Sequence, residues 1–204
     1  MRIVFAVCTA FFLSTAPSLP AAADDPPKDG LAKNELSTEA GPQTRAQHLD
    51  KLFTDLKRER NEKSAERIAN RVWAQWNQSG SASIDLMMQW SQKAIGEQKF
   101  DVALDFLDQV VTLQPTYAEG WNRRATVHFM MKNYQKAMAD IEQTLELEPR
   151  HFGAISGMAQ IFSDTGRKEQ ALRAWQRALD VYPMMRNAQN QVAILSEELA
   201  GEGI

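Results

Sequence analysis

An all-α solenoid of antiparallel helix pairs is the fold this sequence predicts, and three observations predict it. Ala69, Ala103, Ala137 and Ala171 stand 34 residues apart. Pro115, Pro149 and Pro183 keep the same 34-residue spacing. Within each 34-residue unit the apolar residues recur every three or four positions, which is the spacing of one helix face. A fixed period of this length, with small residues and prolines in constant phase, is the signature of helix–turn–helix units stacked side by side.

Each unit is numbered here so that its proline is position 32. Three units align without a gap, 84–117, 118–151 and 152–185. Positions 4, 7 and 11 form the stripe of a first helix (Trp121 at position 4; Ile155 and Phe162 at positions 4 and 11), and positions 20, 24 and 27 form that of a second (Ala171, Trp175, Ala178). Alanine at positions 8 and 20 lets the paired helices approach closely. Proline at 32 has no amide donor, so it stops the second helix and turns the chain into the next unit. Gly96, Asn133 and Gly166 fall between paired helices, where turn residues belong. Trp121 and Trp175 are expected in the core.

A degenerate unit over 45–81 precedes these. Leu49, Leu52, Phe53 and Leu56 mark its first helix, and Ala65, Ala69, Val72, Trp73 and Trp76 its second. Ala69 and Trp73 hold the phase of positions 20 and 24. Ser81 replaces the proline and Lys57 the small residue at position 8, which suits a terminal unit with one neighbour. After Pro183, Met185, Ala188, Val192, Leu195 and Leu199 make a narrow stripe over 185–200, expected to be a helix capping the open apolar end. Its rival is a dimerisation helix.

The ends bound the organisation. Residues 1–23 have the make-up of an export signal: Arg2, an 11-residue apolar stretch from Ile3 to Leu13, helix breakers at Pro17 and Pro20, and the small-residue run Ala21-Ala22-Ala23, with cleavage expected after Ala23. The alternative is an uncleaved anchor, for which the stretch falls short of the roughly 20 residues that span a bilayer. Residues 24–44, rich in proline, glycine and charge, read as a disordered linker. The folded part is then 45–200. Cys8 is the only cysteine, so the exported chain has no thiol for a disulfide, a nucleophile or a zinc ligand. Loss of Arg2 leaves 22 basic against 26 acidic residues, a net charge of −4, which does not suit a nucleic-acid binder. No other apolar run is long enough to cross a membrane.

Nothing in the sequence carries chemistry. His48, His128 and His151 have no histidine partner at helical spacing, and no nucleophile elbow, phosphate loop or dinucleotide fingerprint occurs. Asp101, Asp105 and Asp108 share a helix face and read as solvated. Neither a metal nor a cofactor is expected, nor is enzymatic activity.

The pattern of Trp121, Ala125, Ala137, Ile141 and Pro149 resembles the tetratricopeptide repeat (TPR) family, and the whole is similar to the small exported TPR proteins of Gram-negative bacteria. Arg124 and His128 depart from it at positions 7 and 11, where leucine and tyrosine are usual. The resemblance implies a right-handed superhelical solenoid, a periplasmic home and binding of a protein or peptide segment of the cell envelope. It also implies a concave groove lined by positions 2, 5, 6, 9, 12 and 13 of each first helix. Carried over, these give Glu119, Asn122, Arg123, Thr126 and Phe129 in the central unit, Met88, Gln89 and Gln92 before it and Gln160 after it. Only Asn122 and Arg123 partly resemble the carboxylate clamp by which some relatives hold acidic C-termini. The expected function is a non-enzymatic adaptor, monomeric; the alternative is a self-associating structural solenoid.

Overall fold

The computed structural model describes residues 44–201. The export signal expected at 1–23 and the linker expected at 24–44 lie outside the described residues, except for Thr44, which is the N-cap of α1. Nine helices are found among those described: α1 (Arg45–Arg58), α2 (Glu62–Trp76), α3 (Ala82–Gly96), α4 (Phe100–Leu113), α5 (Ala118–Met130), α6 (Tyr134–Leu147), α7 (Phe152–Asp164), α8 (Lys168–Val181) and α9 (Arg186–Gly201). No strand occurs among them.

The three regular units are the pairs α3–α4, α5–α6 and α7–α8. Each closes on the fully buried Ala103, Ala137 or Ala171, where the missing side chain lets one helix lie against its partner. Between the paired helices, position 15 carries the left-handed backbone: Gln98 (φ 58°), Lys132 (φ 59°) and Gly166 (φ 73°). Only the third unit places glycine there, so the turn residues expected at Gly96 and Asn133 are one or two positions away from the true bend. The second helix ends alike in each unit. The residue before each proline, Gln114, Glu148 or Tyr182, has left the helical conformation, with φ of −137°, −139° and −129°. The ring of the following proline forbids the helical conformation there.

Consecutive units interlock through positions 3, 7 and 23. Gly120 leaves so little room that an added Cβ would lie 2.8 Å from Val110 Cγ1 of α4. Arg124 reaches back to Asp108 of α4 at 2.8 Å and grips Asp140 of α6 with two bonds of 2.6 and 2.8 Å. The arginine that breaks the family pattern at position 7 is thus an ion-pair bridge between units. Helix α9 packs Ala188, Val192 and Leu195 on Ile155, Trp175 and Ala178, which makes it a cap on the last unit.

Two expectations from sequence are corrected. Trp175 is buried, but Trp121 is only partly so: its Nε1–H donates to the Pro115 carbonyl at 2.8 Å and Arg124 lies over its ring. The degenerate unit does not stack on α3–α4 as a fourth repeat. Helices α1 and α2 form a hairpin, tied by Arg45 to the Gln75 and Gln78 carbonyls. Their apolar face (Leu52, Phe53, Leu56, Ala65, Ala69, Val72, Trp76) packs on Phe152 and Tyr182 at the far end of the molecule. The junction explains the change of course. Where the regular junctions have a non-helical residue and a proline, Asn77 continues as helix (φ −70°, ψ −3°) and Gly80 takes φ +84°, a conformation open to glycine without steric cost. The chain therefore swings back to the third unit, where the hairpin meets the start of α7 and the end of α8, instead of stacking on α3–α4.

Candidate functional site: the concave face and its covering hairpin

The concave face is built from α3, α5 and α7, and α1–α2 covers one half of it. Trp76 stacks on His151 with ring centroids 4.0 Å apart and planes 10° from parallel. The rim of Trp73 lies so close to Gly153, at position 2 of its unit, that a Cβ there would come within 2.6 Å of the ring. Asn77 accepts a hydrogen bond of 2.8 Å from Arg123. Along the edge, Arg150 pairs with Asp50 at 2.7 Å and lies over Phe53, while Arg186 pairs with Glu62 at 2.8 Å. All these receptor residues sit at the starts of the first helices or in the junctions before them, so the covered half is the one at the helix N-termini.

Beneath the hairpin lies a closed polar network. His151 is the N-cap of α7: its Nδ1 accepts from the Ala154 amide at 3.1 Å, which leaves the proton on Nε2, 3.3 Å from Glu119 Oε2. Glu119 also accepts from Asn122 at 2.8 Å and from Arg123 at 2.9 Å. Its carboxyl titrates below the usual range. Burial, the largest single influence, pushes it up, but the His151 N–H and the Arg123 guanidinium together outweigh burial. The network is therefore charge-balanced without a ligand. Sequence reasoning placed Glu119, Asn122 and Arg123 on an open surface. Glu119 and Asn122 are buried, and Arg123 is held between Glu119 and α2. Met88 is likewise buried, packed with Ile84 and Met87 in the first regular unit. His151, the centre of the network, was missed as a site residue; its place just before a helix is the signal of a cap, not of a groove.

The other half of the concave face is open. Gln89, Gln92 and Thr126 are exposed, and Phe129 and Gln160 are partly so. Thr126 and Phe129 flank a cavity of about 140 Å³ between α5 and α7, floored by Ala125, Ile141 and Ile161 and walled by Gly153 and Gly157. Gln160 donates to Asp164 at 2.7 Å, which also accepts from the Tyr134 hydroxyl at 3.0 Å. Five of the nine residues expected to line the groove thus share this strip. The other four are Met88 in the core, Glu119 and Asn122 in the network, and Arg123 against the hairpin.

No three His, Cys, Asp or Glu side chains converge as a metal site among the described residues. His128 is buried, but its Nδ1 has no hydrogen-bond partner and its Nε2 stands 4.0 Å from Asp140. Burial holds its pKa down.

The sequence profile of the tetratricopeptide repeat matches residues 118–151. A TPR repeat-containing protein of Rhizobium etli is 51% identical over 192 residues, 94% of this chain and 91% of the relative. The chain belongs to the tetratricopeptide repeat family. Among solved structures, the first TPR of Spaghetti bound to an HSP90 peptide matches with a TM-score of 0.55 at 21% identity, covering 57% of this chain and 93% of that one. The TPR2B domain of yeast Sti1, in complex with an Hsp70 peptide, matches with a TM-score of 0.53 at 16% identity, covering 58% of this chain and 99% of that one. At these identities the likeness shows the fold alone. The TPR fold is a protein-interaction fold, and no catalytic family is indicated. No helix among the described residues is long and apolar enough to cross a membrane.

Proposed function

We propose that this TPR protein is an exported, non-enzymatic adaptor, monomeric, that holds a protein or peptide segment of the cell envelope on the open half of its concave face. The cavity beside Thr126 and Phe129 carries the reading. It pairs an apolar floor with Asn122 and Thr126 at its edge, which suits one apolar side chain of a peptide whose backbone bonds along Gln89, Gln92 and Gln160. The apolar stretch Ile3–Leu13 followed by Ala21-Ala22-Ala23 supports export to the periplasm. Self-association loses its sequence basis, because the stripe of α9 that would join two copies is packed on α8.

Capture from solubilised envelope by residues 24–204 tests the adaptor. Phe129→Glu with Thr126→Arg is expected to abolish retention while leaving the melting temperature within a few degrees of the parent. Retention that survives the pair removes the open strip as the binding surface. A fusion of residues 1–30 to a reporter active only outside the cytoplasm tests export, and an inactive fusion sinks the periplasmic assignment.

A further inference from the structure

The 34-residue register brings out a surface that the fold leaves unfinished. In the central unit positions 3, 7 and 23 are Gly120, Arg124 and Asp140, which face the preceding pair: Gly120 is pressed on Val110 and Arg124 bonds Asp108, both in α4. In the third unit Ala154 and Ala174 occupy positions 3 and 23 and are buried. The same positions of the first regular unit are Leu86, Trp90 and Phe106. Leu86, Trp90 and Val102 are 43%, 47% and 43% exposed, and Trp90, Val102 and Phe106 line an open cavity of about 420 Å³ together with Lys93, Glu97 and Lys99. This is an inter-repeat face with no repeat on it. The element whose alanine and tryptophan keep the phase to cover it is α1–α2, five residues away through 77–81, and that element lies on the concave face instead.

The hairpin therefore has two seats made for it in one chain, and its present one is that of a ligand. Helix α2 is amphipathic: Ala65, Ala69, Val72 and Trp76 are buried along one side, which packs against α1 as well as Phe152 and Tyr182, while Trp73 bears on Gly153 and Glu62 meets Arg186. We infer that the covered half of the concave face is a receptor for an amphipathic helix of a partner protein, one carrying two aromatic side chains three residues apart and an acid near its N-terminus, for which α2 stands in until the partner displaces it. The displaced hairpin stacks on Leu86, Trp90, Val102 and Phe106, so the apolar area that leaves the groove is covered again and exchange costs little. The inference takes the adaptor reading as its setting and adds the chemistry of a partner at a different half of the groove.

The probe is a labelled peptide of residues 61–78, titrated into the chain 24–204, which keeps every described residue. Trp76→Ala in the protein weakens the internal occupant and leaves the receptor residues untouched. Because apparent affinity scales with the fraction of open receptor, it is expected to tighten peptide binding by about tenfold or more. Adding Gly153→Ala, which suits a helix but sets a Cβ where Trp73 sits, is expected to remove that gain. A Val102→Cys variant, carrying the sole thiol of the chain 24–204, is expected to react several-fold more slowly with a maleimide once peptide is bound, as the hairpin covers the end face. Three results overturn the inference: no binding to the Trp76→Ala protein, binding indifferent to Gly153→Ala, or a Val102→Cys thiol that reacts as fast with peptide bound as without it. Envelope capture through Thr126 and Phe129 is independent of all three, so either reading can fail while the other stands.

Discussion

Trp76 lies flat on His151, and the same imidazole caps α7 through Nδ1 and donates to Glu119 through Nε2. One ring thus joins the covering hairpin, the start of the third unit and the buried carboxylate of the second. The indole is 6% exposed, so its removal opens a large cavity. Trp76→Ala is expected to lower stability by about 3–5 kcal/mol, read from the denaturant midpoint, with α1 and α2 losing hydrogen-exchange protection before α5–α8.

Glu119 makes stability sensitive to acid. Its folded pKa is depressed, so it contributes stability that is fully present above the unfolded value of about 4.3. That contribution is lost as pH falls through the folded value. Stability is therefore expected to be level in this contribution near neutrality and to drop below about pH 4.3. Glu119→Gln is expected to shrink the drop while lowering stability at pH 7. Equal slopes for parent and variant between about pH 4 and 2 would show that another carboxylate governs acid unfolding.

The two partners of Arg124 differ in burial, and so in worth. Asp140 has a side chain only 6% exposed, whereas that of Asp108 is 63% exposed. Asp140→Ala leaves a largely enclosed guanidinium, beside His128, with one wet partner. It is expected to cost about 3 kcal/mol or more. Asp108→Ala is expected to cost under about 1 kcal/mol. Urea denaturation of both variants decides this, and similar costs would mean that the pair acts as an exposed one.

Trp175 and Trp121 stand at positions 24 and 4 of their units, yet only the first is enclosed. Trp175→Ala is expected to cost about 3–5 kcal/mol. Trp121→Ala, which loses partial burial and one hydrogen bond to the Pro115 carbonyl, is expected to cost about 1–2 kcal/mol. Calorimetry on the two variants gives the order, and a larger loss at Trp121 contradicts the packing described.

The repeat units were legible because their determinants are local. An alanine at a helix crossing, a proline after a helix and a stripe every three or four residues act within one turn of themselves. The cap formed by α9 was legible for the same reason. The seat of α1–α2 was not, since Ala69 and Trp73 keep the phase of a stacked repeat and give the same apolar stripe to either surface. What diverts them is the backbone at Asn77 and Gly80, and a glycine permits a positive φ without announcing it. The candidate site suffered accordingly. Thr126, Gln92 and Gln160 follow from position alone, but Glu119 is tied to His151 and Arg123 to Asn77, each from more than thirty residues away. His151 went unrecognised because its three contacts come from α2, α5 and α7, which no spacing in the chain connects.

The double duty of His151 has a practical outcome. A movement of the N-terminal hairpin takes away the face on which the imidazole rests, and the Ala154 amide then loses its fixed acceptor. That single backbone proton, deep between two repeats, becomes an internal gauge of whether the front of the chain is seated, and its amide resonance can be followed in solution.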